Sequence, residues 1–153
     1  MFRLSQRSRD VLATVKPPMR RVVERAITLT KVDFGVVQGG RTLDYQKRLY
    51  GQGRTAAQCV AAGVPAAYAK PNEKKVTWTL KSNHLVDASG LGSAVDLMPY
   101  VNGKGEWDDS GKLGLWPKIA AAMKQAAAEE GVSIRWGGDW QGTPDRPHFE
   151  LAR

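Results

Sequence analysis

The sequence contains only one cysteine and two histidines, and no apolar run long enough to cross a membrane. A single cysteine, Cys59, excludes an intramolecular disulfide and a zinc site built from cysteines. The N-terminal residues carry a charge every few positions, so we expect neither a secretory signal peptide nor stable membrane insertion. Because histidine is so scarce, the surroundings of His84 and His148 carry much of the information in the sequence.

The composition is that of one globular domain. The chain has 153 residues, 42% hydrophobic and 25% charged, which is enough for one core and too little for a second. Residues 1–31 hold eight basic and two acidic side chains, so this segment carries +6 of the net +8. Such a segment favours an anionic partner, and nucleic acid, acidic lipid and bacterial envelope polymers all remain open on charge alone.

Hydrophobic periodicity and turn residues predict short helices and strands. Helices come first and short strands follow with one more helix inserted, an order typical of an α+β fold rather than alternating βαβ units. The predicted helices are 5–15, 18–30, 42–52, 56–62 and 116–130; the predicted strands are 33–38, 76–82, 94–98, 132–136 and a last one around 149–151.

The two histidines lie among small, polar, turn-forming neighbours rather than on an apolar helix face. A catalytic zinc ion needs three histidine or carboxylate ligands and an open position for water. Asp96 can supply the third ligand, and Asp145, three residues before His148, can act as a base that is not itself a ligand. Each residue alone is typical of an ordinary packed or turn residue; the hypothesis depends on the combination.

These residues fall in the segments S82-N-H84, G92-S-A94-V-D96 and D145-R-P-H148, with G40-R41-T-L-D-Y-Q46-K-R-L49-Y upstream. Together they resemble the zinc-dependent M15 peptidases of bacterial cell walls, which include D-alanyl-D-alanine carboxypeptidases and phage endolysins that cut L-alanyl-D-glutamate bonds. The resemblance implies the hedgehog/DD-peptidase fold, a single domain with a small antiparallel sheet flanked by helices. It divides the domain 1–153 into the basic helical segment 1–31 and a catalytic core, 33–151.

The resemblance also implies roles for particular residues. His84, Asp96 and His148 would bind one Zn²⁺ ion, and Asp145 would be the general base. Arg41 would polarise the scissile carbonyl or hold a substrate carboxylate, although an ordinary surface arginine after a Gly-Gly turn is the alternative. Further contacts to the ligands or the substrate are expected from Ser82, Gln46 and Glu150, and tryptophans that could wall the cleft are Trp107, Trp136 and Trp140.

The sequence departs from the family pattern at one place. Seven residues separate His84 from Gly92 where the pattern has two, an apparent insertion of five that a loop can absorb. The insertion contains Asp87, which could compete with Asp96 as a ligand. We favour Asp96 because it keeps the G-x-A-x-D-L context.

The predicted function is a zinc peptidase of peptidoglycan stem peptides, closest to a phage endolysin of the L-alanyl-D-glutamate type. A D-alanyl-D-alanine carboxypeptidase is the alternative, and a cellular enzyme of that kind normally needs export. We expect a monomer that is made in the host cytoplasm and acts on the cell wall after a separate holin-type protein releases it.

A basic nucleic-acid-binding module is the alternative from another class, but the basic runs are only pairs and no readout motif accompanies them, so we expect no nucleic-acid partner. A zinc protein without activity would not need Asp145. The acidic stretch of Glu106, Asp108 and Asp109 could bind a hard cation, but we interpret it as solvated turn carboxylates.

Overall fold

The computed structural model describes residues 1–152 and has the predicted α+β architecture; Arg153, the last residue of the predicted domain, lies outside the described residues. Its elements are α1 (Gln6–Leu12), α2 (Pro17–Leu29), β1 (Asp33–Gln38), α3 (Leu43–Gly51), α4 (Ala56–Ala61), β2 (Ala94–Val101), β3 (Lys104–Gly105), α5 (Leu115–Glu130), β4 (Ile134–Trp136) and β5 (His148–Leu151), with 3-10 turns at Ala66–Tyr68 and Gly137–Asp139. The strands form one antiparallel sheet in the order β1-β2-β5-β4, and β3 pairs with β2. No helix within residues 1–152 is long and apolar enough to span a bilayer.

One hydrophobic core lies between the helices α2 and α5 and one face of the sheet. The apolar face of α2 is buried, and the strands contribute Phe34, Leu97 and Phe149 from the facing side. Side chains alternate between the two faces of a strand, so the opposite face of β2 and β5 is free for polar residues. The candidate site lies on that opposite face.

The start of α5 is stabilised by Asp108, and this corrects the interpretation of that one residue of the acidic stretch as a solvated carboxylate; Asp109 is exposed. Asp108 is only 4% exposed, and its carboxylate accepts hydrogen bonds from the backbone N–H groups of Leu113 and Leu115, each at 3.1 Å. Gly114, at the helix N-cap, has a left-handed φ of 65° and no side chain to cap the helix. Asp108 therefore satisfies donors that the cap residue leaves open. At the other end Gly131 closes the helix with a left-handed φ of 66°.

The predicted strand 76–82 is wrong. Its residues alternate as in a strand, but no strand among the described residues pairs with this segment, and Val76 and Trp78 are exposed. The strand predicted at 94–98 is present but runs on to Val101, because Pro99 and Tyr100 pair with β1 and Val101 pairs with Lys104 in a hairpin with β3. The end of β2 thus depends on a partner strand that local patterning did not indicate.

We expect Met19→Ala to lower the free energy of unfolding by about 2–5 kcal/mol, because Met19 is fully buried and its truncation leaves a cavity between α2 and the rest of the core. Urea denaturation followed by circular dichroism measures the change. Leu43→Ala, at a half-exposed position on α3, is the control and should change stability little. Equal effects of the two substitutions would contradict the placement of α2 in the core.

Candidate functional site

Three of the predicted residues meet at one point on the open sheet face. The Nε2 atom of His84 lies 3.2 Å from Oδ1 of Asp96 and 3.2 Å from Nδ1 of His148, and the last two atoms are 3.4 Å apart. Both histidines are buried and Asp96 is partly buried. Asp87, the competing carboxylate, lies elsewhere: it is exposed, accepts hydrogen bonds from Ser89 and pairs with Lys16 at 3.3 Å.

Strand pairing places two of these side chains. In the register between β2 and β5, Asp96 is directly opposite His148, and such opposed residues have neighbouring side chains. The flanking residues Val95 and Phe149 point to the other face and are fully buried. In β5, Phe149 therefore lies in the core and His148 on the polar face.

His84 arrives from an irregular segment that is held by close backbone contacts. Its carbonyl accepts a hydrogen bond from the N–H of Arg41 at 2.6 Å, and the carbonyl of Asn83 accepts one from Ser93 at 2.8 Å. A Cβ atom on Gly92 would lie 2.7 Å from the His84 carbonyl oxygen, so only glycine permits this approach. The spacer 85–91, which contains the five-residue insertion, forms a hydrogen-bonded turn before Gly92, and His84 still reaches Asp96.

The outer hydrogen bonds of the histidines define which nitrogens are free. His84 Nδ1 lies 2.8 Å from the carbonyl oxygen of Gly39, which can only accept, so Nδ1 carries the proton and Nε2 presents a lone pair. His148 Nε2 donates to Glu150 at 2.7 Å, which leaves Nδ1 free. Glu150 in turn accepts from Asn83 at 2.7 Å. This is the carboxylate and carbonyl support that metal-binding histidines need.

The resulting donor set fits a tetrahedral metal ion. With both imidazoles neutral, their two lone pairs and a carboxylate oxygen converge, which is unfavourable unless a metal cation, or in the metal-free protein an added proton on an imidazole, lies between them. Ligands about 2.0–2.1 Å from zinc are separated by about 3.3–3.4 Å in a tetrahedron, close to the distances observed here. The three residues would supply three of the four ligands of such an ion.

The charges of the cluster influence one another strongly. Burial raises the pKa of Asp96, but the hydrogen bonds to His148 and His84 outweigh it and hold the pKa well below its usual range. Burial lowers the pKa of His148, but its hydrogen bonds to Asp96 and Glu150 outweigh burial and raise the pKa above the ordinary value. Asp96 is therefore an anion, while His148 holds a proton more readily than a free histidine.

Arg41 lies at the edge of the cluster and is not an ordinary surface arginine. Its Nη2 atom is 3.5 Å from Oδ2 of Asp96, and the guanidinium also donates to the side-chain oxygens of Gln38 and Gln46, each at 3.3 Å. Gln46 is fully buried and does not line the cleft. It supports Arg41 by accepting a hydrogen bond from the guanidinium. Arg41 is thus positioned with part of its donor fork facing the cleft.

Asp145 lies on the exposed rim of the same cleft. Burial and the negative charge of Asp96 raise the pKa of the Asp145 carboxyl. The two histidines and Arg41 lower this pKa, but by less. The backbone N–H of Asp145 donates to the carbonyl of Gly137 at 2.8 Å, and a Cβ atom on Gly137 would lie only 2.1 Å from the Asp145 carbonyl oxygen. Because Gly137 has no side chain, the backbone of Asp145 can approach it this closely.

The cleft has a volume of about 510 Å³. Some of the other residues predicted to contact the ligands or the substrate line this cleft, and others do not. Ser82 and Glu150 line it, as does Trp140, whose ring centroid is 5.1 Å from that of His148. Trp136 instead stacks on Phe149 and Trp107 on Trp116, and neither of these predicted wall residues lines the cleft.

Sequence reasoning missed Trp78, Lys81 and Asn83, which also line the cleft. The alternation that predicts a strand at 76–82 accounts for Trp78 without any function. Asn83 stands inside the S-x-H motif, so its position beside His84 was the one signal that could have indicated a role.

The basic N-terminal segment is less available than its charge suggests. Arg21 pairs with Glu130 at 3.6 Å and Arg25 with Glu129 at 3.1 Å, which links α2 to the end of α5. The segment also supports the site, because the hydroxyl of Thr14 accepts a hydrogen bond from the N–H of Gly40 at 2.8 Å.

Comparison with known proteins gives concordant matches. A family model described as phage L-alanyl-D-glutamate peptidase matches residues 1–151. The L-alanyl-D-glutamate peptidase of Escherichia phage T5 is 34% identical over 152 residues, which cover 99% of this chain and 90% of that relative. The crystal structure of the Serratia marcescens L-Ala D-Glu endopeptidase ChiX is similar with a TM-score of 0.68 and 28% identity, over 98% of this chain and 90% of that one.

We expect the affinity of the metal-free protein for Zn²⁺ to fall as the pH is lowered through neutrality. A protonated imidazole cannot bind metal, and the raised pKa of His148 makes protons compete at a higher pH than for an ordinary histidine, whose pKa is about 6.5. Calorimetric zinc titrations at a series of pH values measure this. The Glu150→Gln variant loses the carboxylate that supports the imidazole of His148, so its zinc affinity should be about 10–100-fold lower. It also loses one cause of the raised pKa of His148, so its affinity should begin to fall at a lower pH. Asp87→Asn, the control, should behave as the unaltered chain, and a pH-independent affinity would contradict the site.

Proposed function

The chain belongs to the phage L-alanyl-D-glutamate peptidase family, and from this we propose that it is a zinc-dependent endolysin that cleaves the L-alanyl-D-glutamate bond of peptidoglycan stem peptides. The observation that carries the proposal is the convergence of His84, Asp96 and His148 on one point, in a cleft that Asp145 and Arg41 also line. A structural metal site would need neither a base nor an arginine beside it.

The three ligand residues would hold one zinc ion on the open sheet face. Bound there, zinc supplies Lewis acidity, which lowers the pKa of a water molecule and polarises a carbonyl group. Glu150 and the Gly39 carbonyl keep the two imidazoles in the tautomers that bind metal. Because Arg41 is held by Gln38 and Gln46, its fork needs no reorganisation as charge develops on the scissile carbonyl oxygen.

Asp145 is the acid–base group in this proposal. Its carboxylate takes a proton from the attacking water and returns it to the leaving amide nitrogen, which departs as the amine of D-glutamate. The raised pKa of Asp145 suits this exchange, because a carboxyl that holds its proton more readily donates and accepts closer to neutral pH.

The N-terminal segment has two roles in the proposal. Arg3, Arg7 and Arg9 form no ion pair with another described residue and can contact the anionic wall, while Thr14 and Lys16 support the site through their contacts with Gly40 and Gly92. We further propose that residues 33–151 form the catalytic core and that the protein acts as a monomer. A separate holin-type protein would release it to the wall.

Digestion of purified peptidoglycan tests the bond that is cut. We expect fragments with a new N-terminal D-glutamate, identified by mass spectrometry, which disappear with a chelator and return when zinc is restored. Release of D-alanine would instead indicate a carboxypeptidase. Hydrolysis that resists the chelator would contradict the metal site, and an absence of fragments from folded, zinc-loaded protein would contradict peptidoglycan as the substrate.

We expect Asp145→Ala to keep zinc and fold but lower kcat by about 10²–10⁴-fold, because it removes the group that moves the proton. Zinc content by elemental analysis, circular dichroism and the rate of fragment release measure the three effects. The control is Asp139→Ala, at an exposed carboxylate paired with Lys124 at 2.8 Å on the neighbouring turn, and its activity should be unchanged. Loss of zinc from Asp145→Ala would show that Asp145 is a ligand.

A further inference from the structure

Residues 76–81, here called the cleft wall, lack a strand partner but are held by buried side chains. Gln46, which is fully buried, donates from Nε2 to the carbonyl oxygen of Thr79 at 2.9 Å and to the hydroxyl of Thr77 at 3.2 Å. Its oxygen accepts from Arg41. The cleft wall is therefore tied directly to the arginine of the site.

A second buried side chain holds the same wall. Arg54 is 6% exposed and forms no ion pair with a carboxylate among residues 1–152. It donates to the carbonyl oxygens of Tyr50 at 2.7 Å and Thr77 at 3.0 Å, and its guanidinium lies 3.7 Å from the centre of the Tyr50 ring. Burying an unpaired arginine is costly, so this arrangement is hard to explain as packing alone.

Trp78 stands between the two anchored residues, Thr77 and Thr79. It is 73% exposed and lines the cleft, with the ammonium of Lys75 5.0 Å from its ring centre. A large aromatic side chain that is exposed and yet presented on an anchored backbone is typical of a binding surface. Arg54 and Gln46 thus position Trp78 for contact with something in the cleft.

The position of the cleft wall indicates which half of the substrate it meets. The wall is tied through Gln46 to Arg41, which follows β1 at one end of the sheet order, whereas Asp145 is tied to Gly137, which follows β4 at the other end. Because Asp145 must reach the leaving nitrogen, the D-glutamate half of the substrate lies near Asp145. The L-alanine half then points toward Trp78.

We propose that Trp78 is a specificity residue that stacks on a sugar ring of the glycan attached to the L-alanine. This inference rests on the proposed function, because in peptidoglycan the L-alanine is joined directly to the lactyl group of N-acetylmuramic acid. One residue spans at most about 3.6 Å, so a sugar must lie close to the scissile bond. A pyranose offers an apolar C–H face that matches the uncharged, flat face of an indole.

Two soluble substrates with the same stem peptide test the proposal. One carries the N-acetylglucosaminyl-N-acetylmuramyl disaccharide on the L-alanine, and the other has only an acetyl group there. We expect Trp78→Ala to lower kcat/KM about tenfold on the first substrate, mainly through KM, and to leave the second unchanged. Trp78→Phe should retain part of the difference because it keeps an aromatic face.

Tyr45→Ala, which removes an exposed aromatic side chain of α3 outside the cleft lining, is the matched control and should leave both substrates unchanged. An equal loss on both substrates, or no loss on either, would overturn the role of Trp78 while leaving the peptidase function standing. Unaltered protein that cleaves both substrates equally well would also overturn it. If the unaltered, zinc-loaded protein cleaves neither, the proposed function fails and this inference fails with it.

Discussion

The antiparallel pairing of β2 with β5 is the constraint on which the candidate site depends. It sets Asp96 opposite His148 on the sheet face that the helices leave open, and the same alternation buries Val95 and Phe149 on the other face. A slip of one residue would exchange the two faces and bring the polar pair into the core. The hydrophobic core under α2 and α5 therefore enforces the register that brings two of the ligand side chains together.

The third ligand depends on a different kind of support. His84 comes from an irregular segment, and its backbone is held by Arg41 and by the close approach of Gly92. Gly92 is in turn held by the connection between α1 and α2, where its N–H donates to Thr14 and its carbonyl accepts from Lys16. The basic N-terminal segment is thus part of the framework of the site as well as a charged surface.

The site residues come from two kinds of structure, paired strands and connecting segments. Asp96 and His148 lie on paired strands, which hold them rigidly, whereas Asp145, Arg41 and Trp78 lie on connecting segments. Each of these segments is anchored by a specific contact: Asp145 by Gly137, Arg41 by Gln46, and the residues beside Trp78 by Gln46 and Arg54. Such anchoring gives a loop the positional accuracy that catalysis and substrate recognition need.

The sequence by itself determined most helices and four of the strands, because these depend on periodicity and caps that neighbouring residues carry. The grouping of His84, Asp96, His148 and Asp145 follows instead from the scarcity of histidine and from the resemblance to the M15 peptidases, and the structure brings the first three together. Only the tertiary structure decided that segment 76–82 is not a strand, that Gln46 holds Arg41 from behind, and that Trp78 lines the cleft. Gln46 meets Thr79 across 33 positions of the chain, Arg41 meets Asp96 across 55, and Asn83 meets Glu150 across 67. No local pattern encodes such contacts, because they exist only once the sheet and its core have formed.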